Sequence, residues 1–168
     1  LSLGLDLKGG MSLIMEISQD DVLRKISNNS RNPQFNQAIE SAVKLQGTSQ
    51  GDFLTLFKQE FEKLNPNAKL ATIFYQVEAY QGKINPTSSN DEVINLLRKD
   101  FDAAIKETFQ VLKTRIDQFG VTSPNISLQA NTGRIILELP GVDDPVRVRK
   151  LLQQTAQLEF WNTYETTE

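Results

Sequence analysis

Residues Met11–Ile17 (MSLIMEI) alternate along the chain, with Leu13, Met15 and Ile17 facing one way and Ser12, Ile14 and Glu16 the other. That two-residue rhythm marks a half-buried strand. It does not return clearly until Asn125–Ala130 and Arg134–Leu139, which flank Asn131-Thr132-Gly133 and read as a β-hairpin. A last alternating stretch covers Gln157–Tyr164, with Leu158 and Phe160 on one side and Glu159 and Trp161 on the other. A strand so isolated at the front must find its partners far along the sequence, and this restricts the fold more than any other feature.

Helical spacing fills the intervals. From Asp91 to Phe119, Val93, Leu97, Phe101, Ile105, Leu112, Ile116 and Phe119 share one face, with Gly120 and Pro124 as stop signals. Gly120 is expected at positive φ. After Pro140-Gly141, Asp143 or Asp144 caps a helix with Pro145 in its first turn and Val146, Val148, Leu151 and Leu152 as apolar contacts. The order is strand, long interruption, helix, strand, strand, helix, strand. Without the interruption this is an α+β, ferredoxin-like split β-α-β arrangement, with both helices on one face of an antiparallel sheet. Its expected inward set is Leu13, Met15, Ile17, Ile126, Leu128, Ile135, Leu137, Leu139, Leu158 and Phe160.

The interruption is a helical insertion after the first strand. Ser18 caps a short helix over Asp20–Ile26. Pro33 opens another, with Phe35, Ala38, Ile39, Ala42, Val43 and Leu45 as its apolar side. Asp52 opens a third, carrying Phe53, Leu56, Phe57, Phe61 and Leu64, which Asn65-Pro66 stops. Lys69–Tyr80 fits helix and strand equally, and Gly82–Asn90 reads as a loop. The expected division is therefore a base domain of residues 1–19 and 91–168 and a mainly helical insertion of residues 20–90.

Composition narrows function. With 168 residues, 39% hydrophobic and 23% charged, a packed core is expected. A net charge of −3 offers no basic field for nucleic acid. There is no cysteine and no histidine, so thiolate chemistry, most zinc sites and the commonest general base are missing. No apolar run is long enough to span a bilayer. The opening residue is Leu1, and the sequence reads as a piece excised from a longer protein. These features point to binding or mechanical work rather than enzymatic chemistry, with no cofactor.

Candidate sites are few. Gly4–Gly10 (GLDLKGG) lacks the spacing of a phosphate-binding loop and precedes a strand rather than a helix, so it reads as a strand and tight turn. Asp6, Glu16, Glu138 and Glu159 are the carboxylates from which an acid–base pair or metal site would be built, and a solvated sheet face accounts for Glu16, Glu138 and Glu159. Arg115, near the end of the long helix, suits the helix C-terminus. Ile14, Ile136 and Trp161 fall on the face away from the helices and form a partner-facing surface. A stand-alone peptide-binding or assembly module is the alternative reading, and a carboxylate- or metal-dependent enzyme is a third.

Four stretches, LGLDLKGGMSLIMEI, VLKTRIDQFGVTSPNI, GRIILELPGVDD and LLQQTAQLEFW, occur in this order. Together they closely resemble the first periplasmic domain of the SecD and fused SecDF protein-export membrane proteins, in its base portion. The matching positions include Asp6, Gly9, Gly10, Arg115, Gly120, Pro124, Pro140 and Gly141, all of which look architectural. The resemblance implies a parent embedded in the bacterial inner membrane, with this domain on the periplasmic side. It implies assistance to proton-gradient-driven protein export, alongside the Sec translocon channel, other Sec accessory subunits and unfolded exported polypeptide. The helical segment has no counterpart in these motifs and is expected to be a lineage-specific insertion.

Overall fold

The computed structural model describes residues 10–49, 51–118, 123–129, 132–142, 144–153 and 158–161, the last four by their backbone alone. In chain order the elements are β1 (Gly10–Ile17), α1 (Gln19–Ile26), α2 (Pro33–Gln46), α3 (Phe53–Leu64), α4 (Ala71–Phe74), a 3-10 turn at Glu78–Tyr80, α5 (Asn90–Gln118), β2 (Asn125–Gln129), β3 (Arg134–Pro140), α6 (Pro145–Gln153) and β4 (Leu158–Trp161). They fall into two units: β1 with the chain from Ile105 onward, and Gln19–Ala104.

The first unit holds a four-stranded sheet in the order β2-β3-β1-β4, every pairing antiparallel. β1 therefore lies inside the sheet, beside β3, with Leu13 opposite Leu137 and Met15 opposite Ile135. Alternation does what it predicts: Met11, Leu13, Met15, Ile17, Ile135, Leu137 and Leu139 are all buried, as are Ile105, Leu112 and Ile116 of α5 and Val148 and Leu152 of α6. Each such side chain removed from water stabilises by about 1.5–3 kcal/mol before entropy is counted. The hairpin closes at the pair Gln129–Arg134, with Gly133 at φ +66°. The Gly133 carbonyl also accepts the Ile17 N–H at 3.0 Å, which ties the turn to the end of β1. Asp144, the second of the two candidates, caps α6: its Oδ1 accepts the Arg147 N–H at 2.9 Å.

Two expectations of burial fail here for physical reasons. Ile126 and Leu128 sit opposite the fully buried Leu137 and Ile135 yet are only half-buried, because β2 is an edge strand with a neighbour on one side. Val146 is 77% exposed, since Val148 and Leu152, four residues apart, already define the inward stripe of α6. Phe119 and Gly120, and the side chains of Leu151, Leu158, Phe160 and Trp161, lie outside the described residues.

The second unit is built on helix caps and phenylalanines. Asn32 Oδ1 accepts the Phe35 N–H at 3.0 Å and Pro33 takes the first helical position, which starts α2. Asp52 does the same for α3 through the Thr55 N–H. The ring of Phe35 then meets Phe57 at 5.2 Å and Phe74 at 5.8 Å, both edge-on, and Phe74 meets Tyr80 at 5.8 Å. Val43 and Leu64, expected in this apolar stripe, are 43% and 39% exposed. Lys69–Tyr80 resolves into α4 and the 3-10 turn, not a strand.

The division falls within α5, after Ala104, rather than at residue 91. The cause is visible in two contacts of the helix's first half. Phe101 stacks on Phe53 at 6.0 Å and 12°, and Arg98 Nη1 donates to Asp52 at 2.8 Å. These bind residues 90–104 to α3.

Candidate functional site

The sheet brings the three predicted surface residues into one row. Ile14 is the register partner of Ile136 on β3 and of Trp161 on β4. Ile14 and Ile136 are half-buried, whereas Leu13, Met15, Ile135 and Leu137 beside them are at most 2% exposed. The row thus runs across the less buried face of the sheet.

Polar pairs border it. Arg134 Nε lies 3.7 Å from Glu16 Oε2, and Asn125 Nδ2 donates to Glu138 Oε2 at 3.0 Å. Glu138 is opposite Ser12, four residues from Glu16 along β1, a separation of roughly 13 Å. These two carboxylates are too far apart to share a proton or a metal ion. Glu159 is the register partner of Glu16 on β4, as Arg134 is on β3. Among the described residues no group of three or more His, Cys, Asp or Glu is placed to hold a metal.

Among the described residues, the motif positions Gly10, Pro124, Pro140 and Gly141 gather at one end of this sheet. Gly10, at φ +146°, opens β1 opposite Pro140, the last residue of β3, and Gly141 follows at φ +67°. Pro124 stands just before β2, after Ser123 at φ +56°. Arg115 is exposed on α5. Asp6, Gly9 and Gly120 lie outside the described residues.

The helical unit holds polar groups that sequence reasoning missed. Asn90 Oδ1 accepts the Leu70 N–H at 2.8 Å, while its Nδ2 donates to Glu62 Oε1 at 3.1 Å and to the Ala68 carbonyl at 3.2 Å. One side chain thereby joins α3, the turn before α4 and the start of α5. The sequence did carry a signal for that start: Ser89 and Glu92 form a reciprocal capping box, at 2.7 Å and 3.2 Å. Burial tends to raise the Asp52 pKa, but hydrogen bonds from Thr55 and Arg98, with the Arg98 charge, outweigh it and hold the carboxyl below its ordinary range. Burial, with the hydrogen bond to Asp100 and its charge, pushes the Tyr80 hydroxyl well above its ordinary range. These groups brace helices.

Residues 105–165 match the family described as protein translocase subunit SecDF, P1 domain, N-terminal. The chain is 39% identical over 160 residues to protein translocase subunit SecD of Rhodothermus marinus, covering 95% of this chain and 25% of that protein. The chain matches the first periplasmic domain of SecD and SecDF. SecD of Syntrophobacter fumaroxidans is 34% identical (95% of this chain, 31% of that protein), and SecD of Escherichia coli 28% identical (95% and 26%). The chain thus spans about a quarter to a third of the SecD proteins it matches. No solved structure matches it significantly.

The match to SecD of Rhodothermus marinus covers 95% of the chain and so spans both units. The SecDF P1 model begins at residue 105, where the sheet unit resumes. Among the described residues no helix is long and apolar enough to cross a membrane.

Proposed function

We propose that this chain is the extracytoplasmic P1 domain of a Sec translocon accessory protein, carried by a parent embedded in the bacterial inner membrane, and that it assists proton-gradient-driven protein export on the periplasmic side. The single observation behind this reading is the SecD match, which runs through both units rather than through one motif. Its partners are the translocon channel, other Sec accessory subunits and the unfolded polypeptide in transit. The domain is not an enzyme. In support, Glu16 and Glu138 are engaged by Arg134 and Asn125, and the sequence has neither histidine nor cysteine. The strand order β2-β3-β1-β4 supports the ferredoxin-like arrangement, with helices joining β1 to β2 and β3 to β4.

Pulse-chase labelling of a secreted precursor tests the export role. Cells whose parent protein lacks this region are expected to mature the precursor slowly, with the defect reduced when the proton gradient is collapsed. Equal maturation with and without the region overturns the reading. Location is tested separately: this region has no cysteine, so Lys83→Cys, in a parent whose cysteines elsewhere are replaced, provides a single exposed thiol for a membrane-impermeant maleimide. Labelling in intact spheroplasts is the expected result.

The half-buried row at Ile14 and Ile136 favours a second reading, a peptide-binding or assembly module with no transport role. It predicts peptide binding by the chain together with normal precursor maturation.

A further inference from the structure

Edge strands in soluble proteins are ordinarily blunted by charge, proline or a bulge, because their free N–H and C=O groups recruit other strands. β2 is an edge strand and carries none of these: Asn125–Gln129 reads NISLQ and pairs with β3 without a break in register. An antiparallel strand turns the main-chain groups of alternate residues away from its partner. Among the described residues, no backbone hydrogen bond beyond the ladder reaches Asn125–Leu128. β4, at the other edge, includes Glu159.

We propose that the edge of β2 receives an extended segment of the exported polypeptide as an added strand, an inference that rests on the export reading above. Two features fit that occupant. Recognition through main-chain groups is indifferent to sequence, as a translocase subunit handling varied polypeptides requires. The half-buried Ile126 and Leu128, beside fully buried Ile135 and Leu137, offer an apolar ledge to alternate side chains of the incoming strand. The exposed Asn125, Ser127 and Gln129 are uncharged and repel neither sign.

The probe is a blocked seven-residue peptide of alternating threonine and valine, added to the isotope-labelled full chain. With peptide at about ten times its dissociation constant, the outward amides of β2 are expected to exchange about tenfold more slowly. Two N-methylated peptides, blocked at alternate sets of amides, decide the mode: one set faces the edge, so one peptide binds and the other fails. Equal binding by both, no slowing at β2, or slowing that follows chain concentration without peptide overturns the proposal, the last by identifying a second copy as the occupant. A silent titration alongside slow precursor maturation in cells lacking the region removes this site and leaves the export reading standing. Normal maturation with peptide protection of β2 removes the export reading instead, and with it the exported polypeptide as occupant.

Discussion

The guanidinium of Arg98, on α5, donates to the same Asp52 carboxylate that caps α3. One acidic side chain thus closes a helix terminus and holds a second helix against it. Asp52→Ala is expected to cost about 1 kcal/mol from the cap, with a further loss from the freed Arg98. Because the folded pKa of Asp52 is depressed, its contribution is complete above the ordinary carboxylate value of 3.8 and disappears as pH falls through the lower folded value. Urea midpoints of wild type and Asp52→Asn, followed from neutral pH to about pH 2, are expected to converge at the acid end. A constant gap between them overturns the assignment.

Asn90 offers a sharper test of the same unit. Asn90→Ala leaves the N–H of the fully buried Leu70 without its acceptor and is expected to cost about 2 kcal/mol. Asn90→Asp keeps an acceptor for Leu70 but sets a second carboxylate against Glu62, so it should recover part of the loss, and more at acidic pH. Chemical denaturation of both variants at two pH values measures this. Equal stability of wild type and Asn90→Ala contradicts it.

Tyr80 is 2% exposed and donates to Asp100. Its raised pKa means that the unfolded chain releases this proton first, so the stability it contributes is lost as pH climbs above about 10. An ultraviolet phenolate titration is expected to show one of the three tyrosines ionising only as the chain unfolds. Tyr80→Phe should remove that alkaline step. Complete ionisation of all three with the fold intact contradicts the placement.

Gly141 isolates a backbone effect, since a Cβ there meets nothing within 4 Å while φ is +67°. Gly141→Ala is expected to lower stability by about 1 kcal/mol through conformation alone. An unchanged melting temperature refutes it.

What was legible in the sequence follows from range. Asp52 and the alternation of β1 and β3 act within a few residues, so their roles could be read directly, while the cap of α6 was narrowed to Asp143 or Asp144. The helix stripes were legible but drawn too wide, because spacing marks a face without marking where its partner ends; Val43, Leu64 and Val146 sit at those margins. Lys69–Tyr80 stayed ambiguous because Asn90, twenty residues from Leu70, supplies a bond that organises it. The boundary within α5 depended on Phe53–Phe101 and Asp52–Arg98, which no local pattern announces. Short motifs of turns and caps revealed the family for the sheet unit. They did not reach the helical unit, since a core of apolar residues at helical spacing tolerates exchange of similar side chains and leaves no short fixed motif.

The interior place of β1 has a consequence for how such a chain is made. Its two neighbours, β3 and β4, leave the ribosome only after all of Gln19–Ala104 has been synthesised. The helices can draw on partners of their own that are already present, whereas Leu13 and Met15 must wait as an unsatisfied ribbon until β3 has been made. Of the four strands of this sheet, the first made is sheltered only when the later ones arrive, and until then its apolar face is open to other chains.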